Sequence, residues 1–92
     1  MILSFKHKGL RKFYETGSKA GIQANQGNRL RILLTALDTA VKIIDMDIPG
    51  FNLHRLRGKR KDIWSILISG NWRLTFRFEN GNVLTLDYED YH

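Results

Sequence analysis

The sequence contains no cysteine, which removes disulfide staples and thiolate zinc sites together and suits a reducing cytoplasm. It has no apolar run long enough to cross a bilayer, and "MILSFKHKGLRKF" meets its first lysine at position 6, too soon for the apolar core of a signal peptide. A soluble, cytoplasmic protein without a membrane partner is therefore expected. Proline occurs once, at Pro49, where a helix cannot continue. Also missing are a glycine-rich phosphate loop, a helix-turn-helix signature and a nucleophilic Ser or Cys triad pattern. Acidic residues are scarce over the first 37 positions, where Glu15 stands alone against Lys6, Lys8, Arg11, Lys12, Lys19, Arg29 and Arg31.

What is present is a single domain, residues 1–92, since two cores could not each bury enough apolar surface at this length. The net charge is +6, and its sharpest concentration is "HRLRGKRK" from His54 to Lys61, with five cations and no acid. Such crowding is self-repulsive unless a polyanion relieves it, which points to nucleic acid.

Hydrophobic spacing divides the chain in two. "MILSF" reads as a short strand, and Leu10, Phe13 and Tyr14 then form one helical face that stops at Gly17. "SKAGIQANQGN" is a polar loop, and Leu30, Leu33, Leu34, Leu37 and Val41 form the apolar stripe of a second helix. Pro49-Gly50 makes a turn. From Ile63 the period falls to two, through Trp64-Ile66-Ile68, Trp72-Leu74-Phe76-Phe78 and Leu84-Leu86-Tyr88. Keeping these sets on one face calls for three-residue turns at Ser69-Gly70-Asn71 and Glu79-Asn80-Gly81, which places Arg73 opposite Asp87 and Thr75 opposite Thr85. The expected fold is α+β, with an N-terminal strand and two helices packed on one face of a mainly antiparallel sheet. The other face, carrying Ser65, Arg73, Thr75, Arg77 and Asp87, is left open for chemistry.

At the edge of that face the chain ends in "DYEDYH", which holds three of its nine acids. Acidic disordered tails are poor in aromatic residues, so a held, functional terminus is expected. Histidine exchanges protons near neutrality, and His54 and His92 both fall beside the polar face, where two imidazoles flanking a phosphodiester could serve as general acid and base. His7, at the start of a basic helix, gains no such weight. His54, Asp90 and His92 match no recognised metal spacing and neighbouring cations oppose a divalent ion, so no metal is expected. Trp64 and Trp72 alternate with the core set and are assigned to it. These residues support a small basic α+β domain that is either an RNA-binding module or a metal-free nuclease.

"SFKHKGLRKFYETG", "LHRLRGKRKDIWSILISGNWRLTF" and "DYEDYH" together resemble the HigB-type toxins of bacterial toxin–antitoxin systems, in the RelE superfamily, and the resemblance runs end to end. It implies the small RelE-like fold and a metal-independent endoribonuclease, without cofactor, that cuts mRNA in the A site of the 70S ribosome. It implies as partner a HigA-type helix-turn-helix antitoxin, through which alone the toxin would meet operator DNA. The family's functional positions fall on His54, Arg73, Asp90, Tyr91 and His92. Arg57 stands where relatives can carry lysine; being permanently protonated, it can grip phosphate but is a poor base. Arg57, Lys59, Arg60, Lys61, Lys6, Lys8, Arg11 and Lys12 are the expected RNA- and ribosome-binding residues. The rival readings are a non-catalytic RNA- or DNA-binding module and a toxin that acts only as co-repressor with its antitoxin. Intact His54, Arg73, Asp90 and His92 argue against the second.

Overall fold

The computed structural model describes residues 1–90. Helix α1 (Lys8–Thr16) begins where His7 Nδ1 accepts the Leu10 N–H at 3.0 Å and ends at Gly17, whose φ of 79° lets its N–H reach back to the Phe13 carbonyl. His7 is thus a helix cap. Leu10 and Phe13 enter the core, while Tyr14 stays exposed and donates its hydroxyl proton to Asp38. Helix α2 (Gly27–Thr39) buries Leu30, Leu33, Leu34 and Leu37. Val41 does not extend the stripe: Ala40 is already extended, and Val41 is 71% exposed. The chain is drawn away there by Asp45, whose carboxylate accepts the N–H groups of Val41 and Lys42 at 2.9 and 3.0 Å.

Four strands follow, β1 (His54–Arg55), β2 (Trp64–Ser69), β3 (Trp72–Glu79) and β4 (Asn82–Asp90), paired antiparallel in that order. Ile66, Ile68, Leu74, Phe76, Val83, Leu86 and Tyr88 join the helix leucines in one core. The opening segment makes two parallel bridges to β4, Ile2 to Val83 and Phe5 to Leu86, in place of the regular strand expected.

Both hairpin turns have two residues, not three. Ser69 pairs with Trp72 around Gly70-Asn71, and Glu79 pairs with Asn82 around Asn80-Gly81, both left-handed at φ 52° and 80° as a two-residue hairpin turn requires. A turn one residue shorter reverses the parity of every side chain, and in each hairpin a bulge restores it. In β2 the extra residue is Ile68; beyond it Leu67 faces Arg73 and Ser65 faces Thr75. In β4 the bulge lies between the pairs Arg77–Leu84 and Thr75–Asp87, with Thr85 at a left-handed φ of 49° and its N–H on Ser4 Oγ at 2.8 Å. That bulge also interrupts pairing with the opening segment. Its consequence is a correction of register: Arg73 faces Glu89 rather than Asp87, and Thr75 faces Asp87 rather than Thr85.

Candidate active site

Strand pairing lays His54, Ser65, Thr75 and Asp87 in one row across all four strands, with Leu67, Arg73 and Glu89 in the next. Paired residues share a face of the sheet, so this is the polar face turned away from the helices. It is not fully open: Ser65 and Thr75 are buried, at 1% and 2% exposure. Over Thr75 lies Glu89, reached from the 3₁₀ turn Gly58–Arg60 by that turn's last residue. Arg60 meets both carboxylate oxygens of Glu89, Nη1 to Oε1 at 3.2 Å and Nη2 to Oε2 at 2.6 Å, and Thr75 donates its hydroxyl proton to the same carboxylate. Burial pushes the Glu89 carboxyl pKa up, but the bonds from Arg60 and Thr75 outweigh it, with help from the charges of Arg60 and Lys6, and the net direction is down. Beside this pair lies a hollow of about 290 Å³ lined by Lys6, Arg60, Ile63, Thr75, Thr85 and Asp87, with Lys6 Nζ 4.0 Å from the Asp87 carboxylate.

His54 is exposed, and its Nδ1 lies 3.0 Å from the Asn52 carbonyl. A carbonyl only accepts, so Nδ1 donates in this contact and Nε2 is the ring nitrogen left to face a substrate among the described residues. His54 shares a smaller hollow with Arg55, Leu56 and Arg57. Arg73 is half-buried and donates through Nη1 to the carbonyls of Gly70 and Trp72 at 3.1 and 3.2 Å, which holds its guanidinium at the β2–β3 turn. Asp90 closes β4 opposite Trp72, exposed, so its pairing places it on the face shared by Trp72 and Tyr88. Three strand spacings, roughly 14 Å, separate β1 from β4. His54 and Arg73 thus lie on the polar face, whereas Asp90 ends β4 on the opposite one. Tyr91 and His92 lie outside the described residues.

The cations divide by task. Lys6, Lys8, Arg11, Lys12, Arg57, Lys59 and Lys61 are exposed. Arg55 lies over the Trp64 ring at 5.4 Å, and Arg31 over Phe13 at 5.3 Å. Arg29 satisfies the carbonyls of Gly50, Leu67 and Ile68 at 2.8 to 3.3 Å, capping the β2 bulge. The crowding at 54–61 is relieved from within by Glu89 and by Asp62, 3.9 Å from Arg55.

Sequence reasoning passed over Glu89. The signal was its alternation with Asp87, but the site was fixed on Asp90 and the register was two residues off at Arg73. Tyr88 is anchored below the site: its hydroxyl donates to Gln26 Oε1 and accepts the Gln23 N–H, its ring stacks on Trp72 at 4.6 Å, and burial raises its pKa against that backbone bond.

Comparison with known proteins gives the lineage. The chain is 46% identical, over the full length of both, to Endoribonuclease HigB of Proteus vulgaris. Residues 3–92 match the family described as RelE-like toxin of type II toxin-antitoxin system HigB, and the chain belongs to that HigB-like toxin family.

Proposed function

We propose that this toxin is a ribosome-dependent endoribonuclease that cuts mRNA in the ribosomal A site. The observation that carries the reading is its full-length similarity to Endoribonuclease HigB of Proteus vulgaris. The RNA 2′-hydroxyl attacks the adjacent phosphorus, the bond to the 5′-oxygen breaks, and the products are a cyclic phosphate and a free 5′-hydroxyl. His54 and His92 share the base and acid roles, and the free Nε2 of His54 suits either partition. Each such proton-transfer group contributes typically about 10²–10⁴ in rate. Asp90 orients a neighbouring group, Tyr91 positions the nucleotide, and Arg73 stabilises charge that grows on the phosphorane. No metal or cofactor takes part.

The ribosome supplies positioning, holding the message in a bent, accessible geometry that a small protein with few base-reading contacts does not create alone. The exposed cations Lys6, Lys8, Arg11, Lys12, Arg57, Lys59 and Lys61 meet RNA phosphates. Membership of a type II system implies an antitoxin; a HigA-type helix-turn-helix protein fills that place and carries the pair to operator DNA. The site of action is the cytoplasm.

Primer-extension mapping of a reporter mRNA in a reconstituted translation system tests this, comparing the intact protein with His54→Ala and His92→Ala, each with and without ribosomes. Codon-phased cuts that require ribosomes and weaken by at least about 10² in each variant are expected. Equal cutting of naked RNA overturns the ribosome dependence, and no cutting by the intact protein leaves a binding module.

A further inference from the structure

The two halves of the proposed site lie at opposite edges of the sheet. His54 and Arg57 belong to the cationic segment at β1, whereas Asp90 ends β4. β1 is only two residues long and pairs with β2 alone. Local hydrogen bonds shape residues 56–63: Leu56 to Ile63 at 2.9 Å, Lys61 to Gly58 at 3.3 Å, Ile63 to Arg60 at 2.9 Å, and Arg55 Nε to the Lys61 carbonyl at 3.2 Å. The ion pair of Arg60 with Glu89, 29 positions apart in sequence, joins this segment to β4. A surface ion pair contributes little in general, because two long side chains lose entropy to meet in water. This one differs in three respects. It is two-pronged, the Glu89 side chain is only 23% exposed, and Thr75, itself buried, donates to the same carboxylate from the sheet beneath. A planar guanidinium matched to a carboxylate fixes orientation as well as distance, which a lysine cannot do.

We propose that Arg60 and Glu89 form a positioning brace: Glu89, seated on Thr75, holds the 54–61 segment over the polar face so that His54 and Arg57 keep a fixed relation to the end of β4. The inference rests on the nuclease reading for its consequence, but the brace itself has an independent signature. Arg60 is then a positioning residue rather than a phosphate ligand, and Glu89, absent from the expected site, belongs beside it.

The test uses the full chain with Glu89→Gln, Arg60→Gln, the double-neutral variant, the reversed pair Arg60→Glu with Glu89→Arg, and Arg60→Lys. Two readouts are taken: the kcat and KM of ribosome-dependent cleavage, and amide hydrogen exchange over residues 56–63. Each single neutral variant is expected to lose about 10- to 100-fold in kcat with KM near wild type, and to exchange faster at 56–63. The double-neutral variant should be no worse than either single one, the reversed pair should recover most of the loss, and Arg60→Lys should fall between. Additive losses overturn the brace, as does unchanged exchange at 56–63 or a defect confined to KM. If the wild type cleaves nothing, the nuclease reading falls on its own, and the exchange comparison still decides whether Glu89 holds the segment.

Discussion

Glu89 is a carboxylate pulled two ways. Burial disfavours its charge, yet Arg60 and the Thr75 hydroxyl stabilise that charge more strongly, so its folded pKa lies below the ordinary value of 4.5. The sign of the linkage follows. Between the folded and unfolded pKa values the unfolded chain holds more protons, so stability rises with pH across that window. The contribution of ionised Glu89 is complete above the unfolded value and is lost as pH falls through the folded one. Glu89→Gln cannot ionise and lacks this dependence. The stability gap between wild type and Glu89→Gln, measured by urea unfolding, should therefore be widest near about pH 7 and close steadily below about pH 4.5. A gap that stays constant down to about pH 3 would mean that Glu89 draws nothing from Arg60 as an anion.

Elements obeyed their periodicity wherever one side chain pattern could decide the matter. The leucine stripe of α2 and the Gly17 stop of α1 were legible because burial and a left-handed cap are local, short-range demands. The turns were not, because a two-residue turn followed by a bulge restores the parity of a three-residue turn, and alternation cannot tell them apart. That ambiguity was harmless at Ile68 but moved the partner of Arg73 from Asp87 to Glu89 at Thr85, and with it the acid at the centre of the polar face. His54 was marked by its place beside the polar face and the roles of Arg73 and Asp90 by resemblance, whereas the ion pair of Arg60 with Glu89 depends on a contact across 29 residues that no local pattern encodes. Gly9 is a further case: a glycine inside α1 has no helical rationale, but a Cβ there would stand 2.4 Å from the Gly21 carbonyl oxygen, backbone against backbone. Alanine normally favours a helix over glycine by about 1 kcal/mol, so propensity alone has Gly9→Ala stabilising the protein. Overpacking against a rigid backbone costs about 1–3 kcal/mol or more and should win. The expected result is a Tm lowered by roughly 4–8 °C for each net kcal/mol, read by calorimetry, and a raised Tm would mean that the loop at Gly21 yields freely.

For the whole molecule, a net charge of +6 sets the long-range behaviour, but its effect depends on where the uncommitted cations lie. Arg29, Arg31, Arg55 and Arg60 are engaged with carbonyls, rings or Glu89. Arg11 and Arg77 pair with Glu15 and Glu79. Among the other exposed cations, Lys8 and Lys12 lie on α1 and Arg57, Lys59 and Lys61 on the cationic segment, with Lys6 at the hollow it shares with Arg60. Two groups that meet one polyanion release counterions together, and each phosphate contact adds about 0.7–0.9 to the slope of log affinity against log salt. The double variant Lys59→Ala with Lys61→Ala should therefore flatten the slope for ribosome binding by roughly 1.4 to 1.8, with residues 56–63 still held by Arg60 and Glu89. Lys8→Ala with Lys12→Ala should do the same, and the four substitutions combined should lower the slope by the sum, because independent phosphate contacts add. Fluorescence-detected binding to ribosomes over a salt series measures all three slopes. A slope that responds to one pair alone confines the RNA contact to that side of the hollow, and a slope indifferent to both removes RNA contact from these lysines altogether.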